Sequence, residues 1–235
     1  MRAGSSAKPL GRVPGEIPWP FSNFYDRYVN RYLVNWFKQI AEDVSTSLGS
    51  GIVLDVGTGP GRLPIEIARR SPEIRVVGID ASKGMIDLAV RNARTTGLSH
   101  SVEFRLGTAS QTGFPDRSFD LVVSTGVIHH LVHPLRAFNE IHRVLRDGRE
   151  AWMYDGRRDA TGEELEETMG KLGMTERDLP LPPWLLKRLW PHAHVGHKTE
   201  VYTSGRIGKA IEESSFASHE VKVEGAYVRI TLRKD

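Results

Sequence analysis

At 235 residues the chain suits one domain, or one domain with an elaborated cap, and its hydrophobic (39%) and charged (26%) fractions put it among ordinary globular proteins rather than disordered or membrane-spanning ones. The absence of cysteine excludes disulfides, cysteine-based zinc sites and thiolate nucleophiles. The net charge of +3 gathers at the two ends rather than in an aromatic-studded stripe, which reads as solvated surface and argues against a nucleic-acid partner.

Residues 1–20 are rich in proline and glycine and lack the apolar stretch of a secretory signal, so they read as a flexible lead-in to a cytoplasmic protein. No run is long enough to span a bilayer. "FSNFYDRYVNRYLVNWFKQIAEDV" (21–44) has helical apolar spacing, with Ser22 or Asn23 as cap. "GSGIVLDVG" reads as a first strand and "GRLPIEIARRS" as the next helix. "IRVVGID" has the continuous apolar run of a buried parallel strand. "SKGMIDLAVRNARTTG" is a helix with Ser82 as N-cap and Gly97 just past its end. Strands follow at "VEFRLG" and "FDLVVSTG", a helix at "PLRAFNEIHRVLRDG" stopped by Gly148, and a strand at "EAWMYDG".

This alternation predicts an α/β fold with a doubly wound, mostly parallel seven-stranded sheet. The rhythm then breaks into short helical pieces punctuated by proline and glycine, read as a helical cap. "TSGRIGKAIEESSF" resumes with a helix capped by Thr203 or Ser204. "HEVKVEG" and "YVRITLRK" alternate as an antiparallel edge pair. The expected division is a lead-in (1–20), a helical lid (21–48), an α/β core (49–158), a cap (159–202) and a final helix with edge strands (203–235).

"VLDVGTGPG" (53–61) places Gly57, Gly59 and Gly61 directly after the first strand, where bare backbone lets a ligand approach. No Lys-Ser/Thr pair follows Gly61, so a P-loop is excluded. A dinucleotide fingerprint wants G-x-G-x-x-G, whereas the spacing here is G-x-G-x-G. Asp55 stands two residues before Gly57, repulsive to a pyrophosphate and attractive to a cation. Asp80 ends the second strand, 19 residues after Gly61, placed to accept the hydroxyl protons of a ribose. A cationic, ribose-bearing ligand without phosphate is called for, and S-adenosylmethionine (SAM) meets all three conditions.

Over roughly residues 50–150 the sequence resembles the class I SAM-dependent methyltransferases, in particular the small-molecule group acting on quinones, sterols and natural products. "VLDVGTGPG" is similar to that family's first motif and "GIDASKGMIDLA" to its second. "FPDRSFDLVVSTGVIHHLVHPLRAFNEIHRVLRDG" is similar to its fourth-strand motif and following helix. The resemblance implies that Gly57, Thr58 and Gly59 lie along the methionine portion of SAM, with Asp80 and Ala81 at the ribose and Met85 on the adenine. It further implies Thr108, Ala109 and Ser110 beside the adenine, Ser124 and Thr125 on the sulfonium side, and Tyr25 and Tyr28 on a helix that closes over the cofactor. Two departures stand out. "GTAS" carries Thr108 where the family commonly has an aspartate, and "RDGRE" replaces its "KPGG".

The implied reaction is in-line displacement at the sulfonium methyl, which chiefly requires positioning. A base is needed only where the acceptor must lose a proton. His129 and His130, just past the fourth strand, are the candidates. Without cysteine, base methylation through a thiol adduct is excluded, and "STGV" lacks the [DNS]-P-P-[YFW] pattern of nucleic-acid amino methylation. "LPPW" in the cap reads as a helix entry. "PHAHVGH" offers His192, His194 and His197 either to a metal or to a polar loop. The leading expectation is a small-molecule methyl acceptor. A protein or RNA acceptor, and a SAM-binding module without transferase activity, stand as alternatives.

Overall fold

The computed structural model describes residues 30–175 and 196–235, with side chains from residue 33 onward. Its elements in chain order are α1 (Asn30–Leu48), β1 (Gly51–Val56), α2 (Arg62–Arg70), β2 (Ile74–Asp80), α3 (Lys83–Thr95), β3 (Val102–Leu106) and β4 (Phe119–Thr125). A 3₁₀ turn (Ile128–His130), α4 (Pro134–Val144), β5 (Leu145–Gly156), α5 (Gly162–Lys171), α6 (Thr199–Thr203), α7 (Arg206–Glu212), β6 (Ser218–Glu224) and β7 (Tyr227–Arg233) follow.

The seven strands form one sheet in the order β3-β2-β1-β4-β5-β7-β6. β1 through β5 run parallel, while β7 lies antiparallel between β5 and β6. Both faces are covered, which is why the central strands read as continuous apolar runs. Alternate residues serve opposite layers. Val53, Val76, Leu121 and Trp152 pack with Trp36, Ile40 and Val44 of α1, with α2 and with Ala93 of α3. Leu54, Val77, Val122 and Met153 face Phe138 and Ile141 of α4, Tyr202 of α6 and Ile207 and Ile211 of α7.

The local signals hold in α3. Ser82 Oγ accepts from the Met85 N–H, and Gly97, with φ of 74°, closes the helix as Leu98 N–H returns to the Ala93 carbonyl. Two boundaries differ from expectation. The helix expected to run to Gly148 ends at Val144, and β5 starts at Leu145. Arg146 donates to both oxygens of the Asp120 carboxylate (2.7 Å each), Asp120 also accepts the Ile52 N–H (3.0 Å), and these bonds hold "RDGR" against the end of the sheet. The helix expected from "TSGRIGKAIEESSF" is the single helix α7, which starts at Arg206 and is capped neither by Thr203 nor by Ser204. Ser204 caps the end of α6 and Gly205 the start of α7. The proposed caps Ser22 and Asn23, residues 176–195 of the expected cap and the "LPPW" segment within them lie outside the described residues.

Candidate functional site

Ligands in an open α/β sheet bind beyond the C-terminal strand ends, where the strand order reverses. That reversal lies between β1 and β4, and a cleft of about 440 Å³ opens there. Gly57 and Gly59 contribute from the loop after β1, Asp80, Ala81 and Ser82 from the end of β2, and Met85 from the first turn of α3. Gly107 through Ser110 come from the loop after β3. The far wall runs from Thr125 through Val127 to the 3₁₀ turn, where His130, Leu131, Val132 and His133 complete it.

The glycine loop is stitched to β2 by the Gly57 and Thr58 N–H groups, both donating to the Ile79 carbonyl (2.8 and 2.9 Å). Gly57 has φ of 75°, and a Cβ there would fall 2.1 Å from Val127 Cγ2. At Gly59, by contrast, a Cβ would meet nothing within 4 Å, because this residue faces open cleft. One glycine lets the loop fold down and the other leaves room for a ligand. Gly78 inside β2 also clears space, since a Cβ there would lie 2.5 Å from Thr58 Oγ1.

Asp55 lies beneath this loop with 1% exposure. Burial pushes its pKa up to about 7, with the nearby Thr58 hydroxyl offsetting part of the rise and the Asp80 charge adding to it. Neither Asp55 Oδ1 nor Thr58 Oγ1 completes a hydrogen bond among the described residues. Asp80 is differently placed. Its Oδ2 accepts the Gly59 N–H (2.9 Å) and its Oδ1 the Ser82 N–H (2.8 Å), so it bridges the two loops while keeping lone pairs toward the cleft. Burial raises its pKa against those bonds.

On the adenine side expected from the sequence, Thr108 and Gln111 exchange backbone bonds (3.2 and 3.1 Å), a tight turn that presents Ala109 and Ser110. Thr112 anchors the turn by donating its N–H and hydroxyl to Glu140 Oε1 of α4 (2.8 and 2.7 Å). Burial would raise the Glu140 pKa, but bonds from Arg143 and Thr112 outweigh it and bring it to about 2.

Ten of the sequence-predicted residues thus meet on the cleft wall: Gly57, Gly59, Asp80, Ala81, Met85, Thr108, Ala109, Ser110, Thr125 and His130. Asp55 and Thr58 sit just beneath it. Gly61 caps α2 instead, with φ of 76° and Phe104 where a Cβ would be. Ser124 is fully buried and donates its hydroxyl to the Val56 carbonyl (2.7 Å), tying β4 to β1 rather than facing the cleft. Tyr25, Tyr28, His192 and His194 lie outside the described residues, and no group of three or more His, Cys, Asp or Glu side chains suited to a metal occurs among the described ones.

Sequence reasoning missed Asp155, fully buried at the end of β5. His129 donates to it twice, from its backbone N–H to Oδ2 (2.8 Å) and from ring Nδ1 to Oδ1 (2.7 Å). Nothing in the spacing announces a pair separated by 26 positions and two elements. The His129 ring lies against His130 at a tilt of 44° (3.9 Å between centroids) and meets His197 edge-on (6.4 Å).

The residues fit SAM. A buried carboxylate with one unpartnered oxygen lies under the loop, the loop has an open face at Gly59, and a second carboxylate stands across it. A family model described as "Methyltransferase domain" matches residues 53–148. A ubiquinone/menaquinone biosynthesis C-methyltransferase, UbiE, of Geobacter sulfurreducens is 32% identical over 139 residues, 56% of this chain and 54% of that protein. The match to an uncharacterized methyltransferase of Bacillus subtilis, YcgJ, is 37% over 99 residues, 41% of this chain and 38% of that one. The chain therefore spans about half or less of the curated relatives it matches. Among solved structures, a SAM-dependent methyltransferase of Methanococcus maripaludis, described there as putative, superposes with a TM-score of 0.69 at 21% identity, covering 99% of this chain and 97% of that one.

Proposed function

We propose that the chain, whose residues 53–148 match a methyltransferase domain, is a class I SAM-dependent methyltransferase that transfers a methyl group from SAM to a small-molecule acceptor by in-line displacement. The observation that carries this reading is Asp55, a buried carboxylate with an unpartnered oxygen under a glycine loop open to the cleft. Such a group is poised for a cation and unsuited to a pyrophosphate. When bound, SAM supplies a methyl carbon already activated by the sulfonium, leaving a neutral thioether.

The chain's own residues then bind, orient and exclude water. Asp55 holds charge beneath the loop for the amino-acid end. Asp80 offers lone pairs to the ribose hydroxyls while its bonds to Gly59 and Ser82 fix its orientation. Met85 and the Thr108–Ser110 turn flank the base, Thr108 offering an uncharged acceptor. Thr125, Val127 and the 3₁₀ turn form the wall nearest the acceptor, held by Arg206 Nη1 donating to the Leu131 carbonyl (2.8 Å). Similarity to quinone C-methyltransferases supports an acceptor of that size class. The macromolecular-acceptor and non-catalytic readings gain no support from these relatives. No helix among the described residues is long and apolar enough to cross a membrane. A cytoplasmic location is part of the same proposal.

Calorimetry with S-adenosylhomocysteine (SAH) and with NAD tests the reading. Micromolar SAH binding with no NAD binding is expected, followed by transfer of labelled methyl into the small-molecule fraction of a lysate. NAD uptake with no response to SAH would overturn it.

A further inference from the structure

We infer that the hydroxyl of Thr108 reads the purine of the ligand in this cleft, so that the site takes the 6-oxopurine counterpart of SAH, S-inosylhomocysteine, nearly as well as SAH itself. This rests on the SAM reading above.

The strand order lays such a ligand out. β1, β2 and β3 are successive neighbours in the sheet, so the loops that leave them follow one another at roughly 4.8 Å a step. Asp55 and the glycine loop belong to β1, and Asp80 ends β2. A cationic end over the first and a sugar at the second bring the base to the third. Leu106 of β3 pairs with Asp80, and the Gly107 N–H donates to the Asp80 carbonyl (3.0 Å). Thr108 therefore follows just past the sugar carboxylate, and it lines the cleft with Ala109, Ser110 and Met85.

This end of the lining, Met85 and Gly107 through Ser110, carries hydroxyls and no ionisable group. The Thr108 backbone is spent on Gln111 through both its N–H and its carbonyl (3.2 and 3.1 Å), which leaves Oγ1 as the polar group it can offer. The charged side chains behind the turn are engaged with their own partners. Glu140 accepts from Thr112 at Oε1 and from Arg143 at both oxygens (2.8 Å each). Arg105 donates to Glu103 and lies over the Phe114 ring (5.1 Å).

A carboxylate only accepts hydrogen bonds, whereas a hydroxyl donates one and accepts on its lone pairs, turning about its C–O bond to suit the partner. Adenine presents a 6-amino donor, and hypoxanthine presents a 6-oxo acceptor in the same place. Thr108 Oγ1 can accept from the first and donate to the second. A carboxylate at this position would pair with the amine but would face the oxo group with no proton to share. The "GTAS" departure is then a change in what the purine site admits.

Calorimetric titration of the full chain with SAH and with S-inosylhomocysteine tests this without turnover. The two wild-type dissociation constants should lie within about 10-fold of each other. Thr108→Asp should keep SAH and weaken the oxo ligand, opening the gap to about 100-fold or more. Thr108→Val keeps the shape and removes the hydroxyl; it should weaken both ligands alike, by about 2–10-fold, and leave their ratio in place. Should Thr108→Asp fail to fold, the wild-type ratio and Thr108→Val carry the test. A wild-type preference for SAH beyond about 10-fold, a folded Thr108→Asp protein with the wild-type ratio, or a Thr108→Val protein that binds both ligands as tightly as wild type overturns the proposal. Failure to bind SAH would instead strike the SAM reading.

Discussion

Replacing Asp55 with asparagine should make the ligand-free protein more stable and the cofactor site weaker. The Asp55 pKa rises from an ordinary 3.8 to about 7, mainly through burial. At about 1.36 kcal/mol per pH unit, holding the folded chain with this carboxylate charged costs at most about 4 kcal/mol. The sign follows from the proton count. Between pH 4 and 7 the folded state binds the proton more tightly than the unfolded one, so stability falls as pH rises and levels off above about pH 8. Asparagine copies the protonated form and cannot titrate. At pH 5 the variant and wild type should melt within a few degrees of each other. At pH 8.5 the variant should lead by about 2–4 kcal/mol, or roughly 5–10 °C for a domain of this size. A cationic ligand would draw the proton off Asp55, so wild-type SAH binding near pH 7 should release protons, read as a buffer-dependent heat. The variant should release none and bind at least about tenfold more weakly, which is 1.4 kcal/mol. Calorimetric melts from pH 5 to 8.5 and titrations in two buffers check both halves. Parallel melting curves across that range would refute the reasoning.

Gly57→Ala should lower stability by about 1–3 kcal/mol and weaken SAH binding, because the new methyl meets Val127 and the backbone keeps a positive φ; thermal melts alone and with Val127→Ala would separate the clash from the backbone strain, since only the first is relieved. Asp80→Asn should weaken SAH about tenfold or more with a small change in melting temperature, as the carbonyl can still accept from Gly59 or Ser82; unchanged affinity would remove Asp80 from the site. Asp120→Ala strips the Ile52 N–H and Arg146 of their partner at the opposite end of the sheet and should cost about 2–3 kcal/mol in urea denaturation, with SAH affinity unaltered.

The sheet and the glycine-loop half of the candidate site were legible because local rules govern them. The apolar run of "IRVVGID", the Ser82 cap, Gly97 and the glycine loop each act within a few residues. What escaped depends on contacts between distant positions. Arg146 meets Asp120 only after β4 and β5 align, where Leu145 pairs with Phe119. The pairing of His129 with Asp155 likewise exists only once neighbouring strands bring their ends together. Ser124 sits at the right strand end, yet its hydroxyl satisfies the Val56 carbonyl, a partner choice that composition cannot show. Gly78 reads as an ordinary interruption of a strand until Thr58 is seen above it.

The strand order also divides labour across the molecule. Asp55, Asp80 and the Thr108 turn belong to the β3-β2-β1 half, whereas Thr125, the paired histidines and Asp155 belong to β4 and β5. Under the proposed function, a chimera joined within residues 111–118 would inherit its methyl-donor half from one parent and its chemistry toward the recipient from the other. A lineage could change recipients by rewriting one side of the sheet while the donor compartment stayed untouched.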